Sequence, residues 1–144
     1  MCLRTRQNHA VRAKKDITVY KVVNIVYDSE RKHYFSPYHK LPDGGEWNLG
    51  EKCEADVFYP YVDYASDSIL YKYDKWYSVR KGLHSYADKD KAIHTARGFM
   101  NRCAVLECII PHGTRYFVGE IPYSGVKCYC SDIMIPVKEV FCTD

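Results

Sequence analysis

The chain has 144 residues, 47% apolar and 27% charged, with 21 Lys and Arg against 18 Asp and Glu. That length supports one domain with its own hydrophobic core, and it contains no apolar run of membrane-spanning length and no low-complexity tract. The net charge of +3 is unevenly placed: Arg4, Arg6, Arg12, Lys14 and Lys15 fall within the first 15 residues without an acid, and the remainder, slightly acidic, argues against a double-stranded nucleic acid as partner.

Residues 1–15 therefore read as a flexible basic N-terminal arm, and residues 16–144 as a single domain. Residues 17–26, rich in Val and Ile, make the first strong strand. Its odd positions are Ile17, Val19, Lys21, Val23 and Ile25, so a lysine interrupts an apolar row. Buried there, Lys21 needs a partner or a ligand anion; if Tyr20 and Val22 point inward instead, it snorkels to water. Tyr27-Asp28-Ser29-Glu30-Arg31 is a hairpin turn before a return strand at His33-Tyr34-Phe35. Pro37 and Pro42-Asp43-Gly44-Gly45 break regular structure, residues 46–52 are extended, and the aromatic, acidic stretch 53–67 has the composition of a loop over a site. Strand pieces at 68–73 and 76–80 flank a turn at Asp74-Lys75.

The helix follows, from Tyr86 or Asp88 to about Met100, with Ala92, Ile93, Ala96, Phe99 and Met100 on one face. Ser85, with Asp88 three residues on, fits a capping box, and Asp88 is the alternative cap. Residues 104–110 are apolar on both alternations except at Glu107, which places them in a sheet interior. Turns at Pro111-His112-Gly113 and at residues 122–125 separate strands at 114–119, 126–130 and 133–141. The fold class is α+β: a mostly antiparallel sheet, whole or split, with one main helix.

Seven cysteines include Cys103-x4-Cys108 and Cys128-Tyr129-Cys130, spacings that suit a metal in principle. No Cys-x-x-Cys knuckle accompanies them, so they read as core thiols of a reduced, cytoplasmic protein with neither metal nor cofactor. Fourteen tyrosines, many at Tyr59, Tyr61, Tyr64, Tyr71, Tyr73 and Tyr77, suit stacked bases or half-buried strand positions. His84 and Tyr86 project to one side of an extended segment ahead of the helix start, whose amides suit a phosphate; the alternative is a capping serine beside two half-buried rings. Arg115, beside Tyr116 after a tight turn, suits phosphate pairing with base stacking. Arg80 and Lys81 offer a second phosphate contact and Trp76 another stacking ring, although each cation is equally well a solvated strand-end charge. The candidate ligand-binding set is thus His84, Tyr86, Arg115, Tyr116, Arg80, Lys81, Trp76 and Lys21, converging on one hollow. No hydrolase elbow, phosphate loop or His-Glu-x-x-His motif is present, and no catalytic residue is assigned.

Gly82-Leu83-His84-Ser85-Tyr86-Ala87-Asp88 resembles the strand-to-helix segment of ADP-ribosyltransferase-like domains. By that resemblance Lys21 stands nearest to the Arg or His of the early strand. Pro111-His112-Gly113-Thr114 matches the Pro-x-Gly-Thr turn, and Asp132 stands where a catalytic glutamate is usual, with Glu139 a strand later. Asp16-Ile17-Thr18-Val19-Tyr20-Lys21-Val22 and Ile110-Pro111-x-Gly-Thr114 also resemble small proteins of gut bacteria and their phages. Phage domains of this size include anti-defence sponges for nucleotide signals such as the cyclic ADP-ribose variants of Thoeris. By analogy with these sponges, the expectation is non-catalytic sequestration of a small phosphorylated nucleotide of the cyclic ADP-ribose type, by a homo-oligomer in the host cytoplasm with no membrane partner. Two alternatives are a NAD-using transferase with Lys21, His84, Tyr86 and Asp132 or Glu139 in its site, and a protein-interaction module on the tyrosine-rich residues 59–77.

Overall fold

Period-two alternation of β-branched, aromatic and Cys residues builds strand after strand here, and one stretch of helical periodicity supplies the helix. The computed structural model describes residues 3–37, 45–55, 61–62, 76–79 and 81–144. In chain order the elements are β1 (Leu3–Thr5), β2 (Val11–Arg12), β3 (Ile17–Tyr27), β4 (Lys32–Phe35), β5 (Cys53–Glu54), β6 (Tyr61–Val62), β7 (Tyr77–Val79), β8 (Leu83–Tyr86), α1 (Lys89–Arg97), β9 (Cys103–Ile110), β10 (Arg115–Glu120), β11 (Lys127–Ser131) and β12 (Ile133–Cys142). They form a single domain, a mostly antiparallel sheet curled into a half-barrel with one helix. Its strand order is β5-β12-β9-β3-β8-β11-β10-β1-β7-β6, with β2 added to β10 and β4 to β3.

β9 is an interior strand, pairing with β3 from Ile17↔Ile110 to Asn24↔Cys103 and with β12 on its other side. That interior position explains why both of its alternations are apolar. The face toward α1 gathers Val22, Tyr86, Ala92, Ala96, Val105 and Phe117. The opposite face gathers Val19, Val23, Trp47, Leu106, Cys108 and Met134. Complete burial of Phe117, Leu106 and Met134 contributes about 1.5–3 kcal/mol each before conformational entropy is charged.

Asp88, in extended conformation, caps the helix: its carboxylate accepts the Lys91 N–H at 3.1 Å. Ser85, the other expected cap, is buried inside β8. The helix ends at Arg97, with the Gly98 N–H on the Thr95 carbonyl, so the expected end near Met100 is too late. Ala92 and Ala96 are its buried residues; Phe99 packs against the core from beyond the helix, while Met100, outside the stripe, is fully exposed.

Residues 3–15 correct the expectation of a mobile arm. Leu3, Arg4 and Thr5 are all buried, and β1 lies between β10 and β7 through Arg4↔Glu120 and Leu3↔Val79. β2 then pairs Arg12 with Arg115, and Ala13 exchanges hydrogen bonds with Thr114 and Gly113 at 2.9 and 2.8 Å. Gly119 makes the close approach possible, because a Cβ there would lie 2.0 Å from the Arg4 carbonyl oxygen. The domain therefore includes the basic N-terminal segment. Arg80, the expected strand at 68–73 and most of the expected covering loop and tyrosine cluster lie outside the described residues.

Candidate functional site

Register decides which side chains share a face, because directly paired residues project together and successive residues alternate. His84, Cys130 and Phe117 form one row across β8, β11 and β10; Leu83, Ser131 and Tyr116 form the next. His84 and Tyr86 thus point to the helix face and Tyr116 to the other. His84 is 1% exposed, its Nε2 3.7 Å from Cys130 Sγ, and Tyr86 packs in the core with Ala92 and Ala96.

Lys21 is also interior. It stays in the buried row of Val19, Val23 and Ile25, its Nζ donating to the His84 carbonyl at 2.8 Å and lying 5.4 Å from the Trp47 ring. The snorkelling alternative fails. β3 and β8 pair at Tyr20↔Tyr86, and the lysine adds a side-chain bond between the same two strands. Burial pushes its pKa down to about 8.

Arg115 is held by Asp132, Nη2 and Nε lying 2.9 and 3.2 Å from the same carboxylate oxygen. Tyr116 tilts against Tyr129 with centroids 5.8 Å apart, and Lys81 is exposed. The expected common hollow is therefore not formed: its members divide between two faces, and three of them are core residues.

The six described cysteines are free thiols, and all but Cys142 are buried. Desolvation pushes Cys108 and Cys128 up to about 12 and Cys53 up to about 11, with Cys130 also raised. Thiols held protonated in this way are poor nucleophiles and ligands. Among the described residues no group of three His, Cys, Asp or Glu side chains is placed to hold a metal ion.

Trp76 belongs to a different place. It borders a cleft of about 350 Å³ whose lining includes Arg4, Arg6, Glu120, Gly125 and Lys127. Arg4 pairs with Glu120 and Glu120 with Lys127, so these three stand in one row on the face opposite the helix. The Arg4 and Arg6 guanidiniums lie 5.2 and 4.8 Å from the Trp76 ring centre, and Lys127 Nζ lies 5.6 Å from the Tyr129 ring. Guanidiniums within cation–π reach of an indole combine phosphate recognition with a surface for a flat ring. The volume falls at the small end of the roughly 300–1,000 Å³ range of ligand pockets.

The β10–β11 hairpin forms the rim. The Ser124 N–H donates to the Ile121 carbonyl at 3.2 Å, with Pro122 second in the turn and Tyr123 third at φ 65°. That third position, left-handed, normally belongs to Gly or Asn. A side chain there costs roughly 1–2 kcal/mol. The Tyr123 ring is 91% exposed, so burial does not offset this. Its one ring contact described is the Arg4 guanidinium at 5.6 Å, which at an exposed site contributes about 0.5–1 kcal/mol.

Of the seven expected site residues that are described, Trp76 alone is among those lining this cleft. Arg4, Arg6, Glu120 and Lys127, which line it, were missed, as was Tyr123 on the adjoining turn. Two signals pointed to them: the alternation of Leu3 and Thr5 with Arg4 and Arg6, and a tyrosine directly after the turn proline. Among the described residues no helix is long and apolar enough to cross a membrane. Compared with known proteins, the chain matches no family model, no curated protein and no solved structure.

Proposed function

We propose that the protein binds a small phosphorylated nucleotide in the Arg4–Arg6–Trp76 cleft and holds it without turnover. The observation that carries this reading is the pair of guanidiniums placed over one indole ring, with Lys127 in the same cleft. Arginine forks match phosphate oxygens two at a time, and aromatic or guanidinium planes accept a base. Glu120 supplies an acceptor for a ribose hydroxyl or a base amine. A cyclic ADP-ribose-type signal has the required base and phosphates, in keeping with the analogy to phage-encoded sponges.

The transferase alternative is the weaker reading. It needs Lys21, His84, Tyr86 and an acid around one hollow, yet Lys21 is in the core, Asp132 engages Arg115, and Glu139 accepts from Lys32 and Tyr34 at 3.0 and 2.9 Å. Calorimetric titration with cyclic ADP-ribose isomers, ADP-ribose, AMP and cyclic dinucleotides tests the proposal, with mass spectrometry of the ligand recovered after denaturation. Binding with intact recovery is expected. Absence of binding across the panel removes the proposal, and release of nicotinamide from NAD replaces it with an enzyme.

A further inference from the structure

Resting on the same cleft, we infer that Tyr123 is its second stacking surface and that the ligand accepted there carries a nucleobase rather than phosphate alone. Three observations converge. Tyr123 holds a left-handed backbone at a position where glycine is unstrained, and its ring is 91% exposed, so core packing does not account for the residue. The hairpin that carries it is fixed in place: Ile121 N–H donates to the Val126 carbonyl at 3.0 Å, Ser124 Oγ donates to the Ile121 carbonyl at 2.8 Å, and Val126 N–H donates to Ser124 Oγ at 3.1 Å. The same hairpin contributes Glu120, Gly125 and Lys127 to the cleft, and the Tyr123 ring is joined to it through Arg4, a lining residue whose guanidinium lies 5.6 Å from the ring centre.

Arg4 links the two aromatic walls. Its guanidinium lies 5.2 Å from the Trp76 ring centre and 5.6 Å from that of Tyr123. A base stacked on Tyr123 therefore lies beside the cation that takes its phosphate. A sugar phosphate without a base uses the arginines and Lys127 equally well but leaves Tyr123 in water. The cleft should discriminate by the presence of the ring system.

The test is calorimetry of the full chain with 5′-AMP and with ribose 5-phosphate, which differ only in the base, on the parent protein, Tyr123→Gly, Tyr123→Phe and Arg6→Ala. AMP is expected to bind at least tenfold more tightly than ribose 5-phosphate. Tyr123→Gly, which relieves the backbone and keeps the turn, should lose at least fivefold of that preference without lowering the melting temperature, and Tyr123→Phe should retain it. Equal affinity of the parent for the two ligands, or a Tyr123→Gly variant with undiminished preference, overturns the inference. If Arg6→Ala weakens both ligands while Tyr123→Gly alters neither, the cleft stands and the role of Tyr123 falls. If neither ligand binds the parent protein, both fall.

Discussion

Replacing Lys21 with methionine gives the sharpest test of the interior. The lysine is 5% exposed, donates to the His84 carbonyl, and has its pKa lowered by burial from 10.5 to about 8. The unfolded chain therefore holds the extra proton between those values, and stability from this group rises with pH across them. Below pH 8 the folded state bears the full cost of the buried charge, about 3 kcal/mol, because one pKa unit corresponds to 1.36 kcal/mol. Between pH 7 and 9.5 about 2 kcal/mol of that cost is relieved.

The Lys21→Met protein lacks this term, but leaves the His84 carbonyl without its donor, a loss of about 1–3 kcal/mol. The two proteins should thus be of similar stability at pH 7, and the parent should gain about 2 kcal/mol relative to the variant by pH 9.5. The raised thiols act in the opposite sense, losing stability as pH climbs above their unfolded value of 9.0, but they are present in both proteins. Urea denaturation at pH 7, 8, 9 and 9.5 reads the difference as a relative midpoint shift of about 1 M. Parallel curves with a constant gap would mean that Lys21 keeps an ordinary pKa and is not enclosed by the core.

Gly119→Ala should cost at least about 2 kcal/mol, because the new methyl meets the Arg4 carbonyl oxygen and carbon at 2.0 and 2.8 Å and β1 must shift. Thermal and urea melts check this, and an unchanged stability would mean that β1 is not seated beside β10. Protonated His33 donates through Nδ1 to Glu46, at 2.5 Å, and through Nε2 to Asp28, and these bonds raise its pKa above 6.5. The stabilisation is complete below pH 6.5 and is lost as pH rises through the folded value, so NMR should show His33 titrating late and His33→Gln should flatten that part of the stability profile.

Much of the scaffold was legible because each long element carries its own period. Residues 17–26 and 104–110 declared themselves through Val and Ile, and Ala92 and Ala96 marked the buried helix face. β1 was not legible: three residues have too little pattern to outweigh their basic context, and their burial depends on the space left by Gly119 over a hundred residues away. Alternation correctly put His84 and Tyr86 on one side, but a single strand does not reveal what covers that side. Here it is the helix. Tyr116 fell on the opposite face because its parity is set by pairing through β11, a long-range register that no local spacing encodes. Lys21 was recognisable as an anomaly in an apolar row, and its partner turned out to be a backbone carbonyl rather than a ligand.

The phosphate of a bound nucleotide goes either to Arg6 in the Trp76 cleft or to Arg115 beside Asp132. Calorimetric titration of AMP at one fixed low salt concentration into the parent, Arg6→Ala and Arg115→Ala proteins measures this most directly, since the first arginine lines the Trp76 cleft and the second is paired with Asp132. Loss of one charge-assisted phosphate contact should weaken Arg6→Ala about tenfold or more, while Arg115→Ala stays within about twofold of the parent. The reverse pattern, with Arg115 needed and Arg6 dispensable, would contradict the assignment of the cleft.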